Sequence, residues 1–408
     1  MAVDLRALPE PLPHPSSPGG GRWLLIILTG VIAGGLLVTL FWPGSGRGAS
    51  LWFWCCAVVF PLMAGLLAYA LRRQVAEGRM DYVEGWNQAR DERRLALVEQ
   101  GQQHLLLIAA ACCSAAGNNK LAQALRSGIV PLQPCYVPSH GATLRLSQLQ
   151  PAVASLSADE YAERLSGYLR EVLLGLGAAW HTCAQHITHV RIRHNGVLAD
   201  EQVLAVWRAV AGDQHRAGQT VFASQADDGL VWLDDWLDAP ERAELLLSLE
   251  FNGYREPEDG YAESVSAVLL GRPDCANRQK LSPLAAVHRP VRASSPAESF
   301  EDALRWGGLL DTEDTYFFWQ SQVSDEVAEE MARVMSQSAY PPSHERSLNL
   351  DSVLGRSGCA VGNLALVVAG EQAMADREAQ LILLEDVTPQ WCVVRPVGAP
   401  VHRDVTET

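Results

Sequence analysis

Two stretches near the start of the chain carry no charge: Trp23 to Trp42, 20 residues, and Leu51 to Leu71, 21 residues. At about 1.5 Å of helical rise per residue, each spans roughly 30 Å, the thickness of a bilayer's hydrocarbon core. Trp42 closes the first run, and Trp52 and Trp54 open the second, as aromatics do at a membrane interface. Residues 43–50 between them are short and turn-like, so the pattern predicts a two-span helical hairpin over residues 23–72. Arg22 precedes the first run and Arg72, Arg73 and Arg79 follow the second, against Arg47 alone in the connection. That asymmetry predicts an inner-membrane anchor with both ends and a soluble body in the cytoplasm. A leader with few positive charges and a second span directly after the first argue against a cleaved signal peptide. Pro9, Pro11, Pro13, Pro15 and Pro18 run into Gly19-Gly20-Gly21, a composition that predicts a disordered tail over residues 1–22.

From Met80 the spacing changes. Tyr82, Trp86 and Ala89 recur at helical spacing among many charges up to Gln103, which predicts a helix leaving the membrane. His104 to Cys113 is an apolar run of strand length, closed by a turn at 114–119. Ser157 with Glu160 three residues later is a capping box, and Tyr161, Leu165, Tyr168, Val172 and Leu176 trace one helical face. Ile187–Arg193 alternates as a strand, and Asp200 caps a helix through Val203, Val206, Trp207 and Val210 that ends at Gly212. Further strands are expected at 220–223, 230–233, 264–270, 285–293, 381–387 and 391–397, and helices at 325–338 and 362–375. Alternating strands and helices predict an α/β body with a mixed sheet. No internal repeat stands out. The expected divisions are an anchor at 23–72, a linker helix and first α/β segment at 80–155, a main α/β domain at 156–398 and a tail at 399–408.

The net charge of −15 is uneven. Residues 1–80 hold six arginines against three carboxylates, a net +3, so the rest carries −18. Lysine occurs only at Lys120 and Lys280, which argues against nucleic-acid binding, because phosphate contacts need clustered cations. The nine cysteines are odd in number, include the adjacent pairs Cys55-Cys56 and Cys112-Cys113, and sit mostly in apolar runs. They read as reduced thiols rather than a secreted disulfide framework.

The candidate chemistry is sparse. His181, His186, His189 and His194 with Cys183 are the densest metal-capable group, but they lack zinc-site spacing, and His186 and His189 fall on opposite faces of a strand. Cys112-Cys113-Ser114 ends an apolar run without a local base, which favours packing over nucleophilic chemistry. The glycines of Leu354-Gly355-Arg356-Ser357-Gly358-Cys359-Ala360-Val361-Gly362 permit a tight turn before a helix, without Walker or Rossmann spacing. Asp227, Asp228, Asp234, Asp235 and Asp238 crowd Trp232 and Trp236, a solvated acidic edge or a docking surface rather than a calcium loop. The sequence therefore assigns no catalytic, cofactor or metal residue.

Two resemblances follow from these residues. The segment Leu348 to Gly362, its apolar helix and the strand Leu381–Leu384, preceded by Tyr261–Leu270, resemble the C-terminal half of thiolase-fold ketosynthases. In that family a Gly-His-Thr-Gly-type turn precedes the helix. Here Arg356 stands where its catalytic histidine would be, and no Thr-Ala-Cys-type nucleophile elbow occurs upstream, so the resemblance implies a thiolase-like fold with its acyl-transfer chemistry lost. The overall plan resembles the type VI secretion lipase-adaptor family: an apolar N-terminal segment, a charged helix, the Leu105–Asn119 run, the Gly128–Leu132 stretch and an α/β body. That resemblance implies a non-catalytic membrane adaptor or chaperone whose partners are a secreted lipase effector and the secretion spike protein. The alternatives are a membrane acyltransferase using Cys112, Cys113 or Cys359, and an immunity protein against a membrane toxin.

Overall fold

The computed structural model describes residues 3–15, 20–43, 50–152, 156–212, 219–223, 228–239, 244–310, 315–342 and 346–398. The expected hairpin turn at 44–49, tail residues 16–19, Asp227 and the expected tail at 399–408 lie outside the described residues. The chain forms two compact units, Asp4–Val98 and Glu99–Thr408.

The first unit is helical. Helix α1 spans Gly20–Phe41; α2, Leu51–Trp54, continues through a π turn, Cys55–Val59, into α3, Phe60–Gly101. Both Gly20–Phe41 and the run Leu51–Gly101 are long and apolar enough to cross a membrane. They pack closely because small residues face bulky ones: Pro61 lies over Gly34, Ile27 over Gly65, and the rings of Trp23 and Tyr69 sit 5.9 Å apart. The proline-rich stretch expected to run free is, at Pro9 and Leu12, tied to α3. The Asn87 side chain pairs with the Leu12 backbone (2.9 and 3.1 Å), and Arg90 Nε donates to the Pro9 carbonyl (2.7 Å).

The second unit opens with β1, His104–Ser114, then α4, Leu121–Arg126, and a separate hairpin, β2 Gln133–Val137 and β3 Ala142–Leu146. Next come α5 Ala158–Gly175, α6 Gly177–Cys183, β4 His189–His194, α7 Asp200–Ala211, β5 Gln219–Phe222, α8 Trp232–Leu237, β6 Leu245–Asn252 and β7 Ser264–Gly271. The remainder is α9 Pro273–Arg278, β8 Ala285–His288, β9 Val291–Arg292, α10 Pro296–Trp306, β10 Tyr316–Ser321, α11 Asp325–Gln337, β11 Ser347–Asn349, α12 Leu350–Val353, α13 Val361–Asp376, β12 Ala379–Glu385 and β13 Pro389–Pro396. The capping box at Ser157 is present as expected. Asp200 is not the cap of α7: Ala199 holds that place, with the Gln202 side chain accepting from its N–H (3.1 Å), and Asp200 pairs with His194 (3.0 Å).

Ten of the strands lie in the order β11-β10-β12-β13-β8-β1-β7-β6-β4-β5, with β9 paired to β13. Two halves read identically. Taken in chain order within each half, β5-β4-β6-β7-β1 and β11-β10-β12-β13-β8 are both 3-2-4-5-1. The parallel and antiparallel senses match as well, and β1 and β8 join the halves antiparallel. The repeat not visible in sequence is therefore a repeat of topology. A central layer holds α8 and α13 against both half-sheets, where Leu107, Leu246, Val268, Trp319, Ile382 and Val394 converge on α13 residues such as Leu364 and Val368. Helices α5 and α7 cover the outer face of the first half, and α10 and α11 that of the second. Helix α13 is apolar on every side because it is buried on every side; a window within Gly358–Asp376 has membrane-like hydropathy but lies in the core.

Two expected strands change. Leu230–Leu233 is a turn entering α8, not a strand: four apolar residues fit either period, and Trp232 and Trp236 at helical spacing decide it. The strand expected at 285–293 breaks at Arg289-Pro290 into β8 and β9, since proline has no N–H to give a ladder. Strands β6 and β10 and helix α10 complete the halves.

Candidate functional site

Helices α8 and α13 are topological counterparts, and their starts abut: a Cβ on Gly362 would stand 2.9 Å from the Gly229 carbonyl oxygen. Both starts carry backbone N–H groups that no helical carbonyl can accept. At or just before each start, side chains from the opposite half accept from some of these N–H groups. For α13, the Glu250 carboxylate at the end of β6 accepts from the Asn363 N–H at 2.8 Å. For α8, Asp386 accepts from Gly229 N–H (2.9 Å) and the Gln390 side-chain oxygen from Leu230 N–H (2.6 Å), both groups coming from the β12–β13 hairpin.

The approaches to the two helices are closed reciprocally too. Asp228, just before α8, accepts from Val387 N–H (2.9 Å), Thr388 N–H (3.1 Å), the Thr388 hydroxyl and Gln390 Nε2 (3.1 Å). Arg356, in the glycine turn before α13, is held by its backbone between Gly260 and Ala262 of the β6–β7 loop (2.9 and 2.8 Å). Gly358, at φ +55°, allows that turn to lie against Asn252.

Charge is balanced from β4, where Arg191 and Arg193 point to one face. Arg191 pairs with Glu250 at 2.7 Å, and its guanidinium stacks 4.5 Å above Trp232. The Glu250 side chain is 0% exposed. Arg193 pairs with Asp386 at 2.5 Å. The meeting point of the helix starts is thus filled by two ion pairs and a carboxylate, all from this chain.

Cys359 lies in the turn before α13, with Sγ directed to the Phe251 carbonyl at 3.3 Å. Burial, reinforced by Glu250 and opposed by Arg193, pushes this thiol up to about 12. Cys113 donates toward Glu171 (3.6 Å); burial and that carboxylate push it up to about 12 as well. Cys112 is raised by burial, then by Glu371 and Cys113. None of the three has a histidine hydrogen-bond partner among the described residues, so the thiolate a nucleophile requires is disfavoured at each.

The other residues singled out in the sequence do not converge. Cys183 is buried under α7, His181 and His186 are exposed, His189 packs on Trp236 and His194 stacks on Phe251. Among the described residues no group of three metal-capable side chains forms. The acidic run divides: Asp228 turns inward, Asp234 and Asp238 pair with Arg289, and Asp235 is exposed. Trp232 and Trp236 are buried rather than displayed, so that edge is not an aromatic docking surface. Arg356 is exposed. Arg191, Arg193, Glu250 and Asp386, which sequence reading passed over, are the groups that meet; the only available signal was arginine at alternate positions of an expected strand.

Two facing helix starts between repeated half-sheets define a thiolase-like fold of the ketosynthase type. Solved structures agree. The chain is similar to the ketosynthase from module 1 of the bacillaene synthase of Bacillus amyloliquefaciens (11% identity, 74% of this chain and 77% of that one, TM-score 0.52). It is also similar to the ishigamide ketosynthase/chain length factor (12%, 72% and 100%, TM-score 0.52). A third likeness is to a beta-ketoacyl synthase from Burkholderia phymatum (10%, 72% and 100%, TM-score 0.50). No family model matches the chain, and no curated protein matches it.

Proposed function

We propose that this chain is a membrane-anchored binding protein on a thiolase-like fold, in which the place of acyl-transfer chemistry serves internal ion pairing. The observation that carries the reading is the Glu250 carboxylate seated on the α13 start and neutralised by Arg191. A negative charge already sits on the Asn363 amide at that helix start, where an anion formed in a reaction would otherwise be favoured. The partner side follows from the sequence layout: an adaptor or chaperone that holds a secreted lipase effector for the type VI secretion spike. The anchor is a two-span hairpin with its body in the cytoplasm, in keeping with Arg72, Arg73 and Arg79 on one side and Arg47 alone on the other. Co-expression of the full chain with a candidate lipase and the spike protein, followed by co-purification in detergent, tests this; recovery of neither partner refutes it.

The second reading, a thiolase-fold acyltransferase at the membrane, is favoured by the ketosynthase likenesses and by Cys359 at the α13 start. Incubation of the full chain with a long-chain acyl-CoA, read by intact mass, separates the two. An unmodified chain is expected. An acyl adduct on Cys359 or Cys113 establishes transferase chemistry.

A further inference from the structure

Helix α3 carries a seam that none of the described residues of the first unit covers. Ala64, Ala68, Leu71, Val75, Gly78, Tyr82, Gly85 and Ala89 follow alternating steps of four and three, the a/d pattern of a coiled coil. All eight are exposed, with Leu71, Val75 and Tyr82 at 56%, 52% and 64%. From residue 72 to residue 91 every charged side chain lies off this line. Over its length the seam runs about 38 Å and passes without interruption from the apolar run into the charged segment. The other segments of this unit pack elsewhere: α1 reaches Tyr69, and the proline-rich stretch binds Asn87 and Arg90. These three are b and f positions, on the helix's far side. Beyond Gly78 and Gly85 there is open space, so another helix can approach closely.

We propose that this seam binds a second copy of the same chain, forming a parallel two-stranded coiled coil along residues 64–89. Orientation comes from the membrane reading: two anchors in one bilayer with the same topology present α3 in the same direction. Charge agrees with it. The residues flanking the seam are Arg72, Arg79, Trp86 and Arg93 on one side and Gln74, Asp81 and Gln88 on the other. A parallel pair sets Gln74 by Arg79, Asp81 by Trp86 and Gln88 by Arg93, without like charges meeting. An antiparallel pair would set arginine flank against arginine flank. In the apolar portion, Ala64 and Ala68 let the backbones come close, the contact that holds helices together in lipid.

The test is cross-linking of the full chain in membranes, with single cysteines added to the otherwise unaltered protein. Tyr82→Cys and Ala89→Cys, on the seam, are expected to give dimer cross-links several-fold above the unaltered chain. Glu84→Cys and Asp91→Cys, on the far side, are expected to stay at that background. Native mass measurement of the unaltered chain in detergent is expected to show two copies. Cross-links that favour Glu84→Cys or Asp91→Cys, or that do not distinguish the positions, overturn the proposal, as does a single copy by mass. These substitutions sit on exposed helix positions, so loss of folding does not stand between the experiment and its answer.

Discussion

Helices α8 and α13 hold the same place in two halves of one topology, yet they are built oppositely. α8 has six residues, two of them aspartates, and starts from a buried carboxylate. α13 has sixteen, apolar all round, and starts from a glycine turn. The short helix is fixed by polar groups reaching across from the second half; the long one is fixed by burial and needs a single carboxylate from the first. A duplicated frame thus constrains where helices begin, while the means of holding them is free to diverge.

The sharpest way to break that pairing is Glu250→Ala, which removes from the α13 start a fully buried carboxylate that Arg191 meets at 2.7 Å. A loss of about 3–5 kcal/mol is expected in urea unfolding of the full chain in detergent. Recovery on replacing both partners with apolar residues would identify the buried charge as the cause.

Steric contact between the starts is probed by Gly362→Ala, whose Cβ would meet the Gly229 carbonyl at 2.9 Å. A loss of about 1–3 kcal/mol is expected, because both sides of that contact are backbone-held. A neutral result would mean that the helix starts slide apart freely.

The seam between halves has its own signature. His288 on β8 is fully buried; burial, with His104 and Arg395 nearby, pulls it down to about 3, and His104 is lowered by burial too. Unfolded histidine takes up a proton near 6.5, so the unfolded state binds more protons below that pH. Stability should hold above pH 6.5 and fall as pH drops from there toward about 3, by at most about 1.4 kcal/mol per unit for each histidine. Unfolding midpoints between pH 7.5 and 4.5, compared with His288→Leu, check this with an approximate range set by the shift. An unchanged slope in the variant would exclude His288.

The smallest effect belongs to Arg356. Because its side chain is exposed, Arg356→Ala should change stability by under about 0.5 kcal/mol.

Much of the frame was legible where period and punctuation agree: the two apolar runs, the Ser157 capping box, β1, β7, α11, α13 and the last two strands. β6 alternates from Leu247 to Asn252, but its polar positions Ser248, Glu250 and Asn252 are buried too, so the pattern of a half-exposed strand does not describe it. The duplication was illegible because topology can persist while side chains are replaced, so α8 and α13 share no pattern. The thiolase resemblance rested on the glycine turn before α13 and the strands around it. The ion pairs were illegible for another reason: Arg191 and Arg193 are separated from Glu250 and Asp386 by whole elements, and only the fold brings them together.

The position of α13 in the chain has a consequence for synthesis. Its residues, 361–376, form the centre of the body, yet they leave the ribosome after all of the first half-sheet and after β8, β10 and β11 of the second. Until then the nascent chain holds an apolar face with only the short α8 from the central layer against it, a state exposed to misassembly and to chaperone capture. A premature stop shortly before residue 361 would therefore remove the middle of the molecule together with β12 and β13, the strands that join β10 to β8, leaving the first half-sheet uncovered and the second broken.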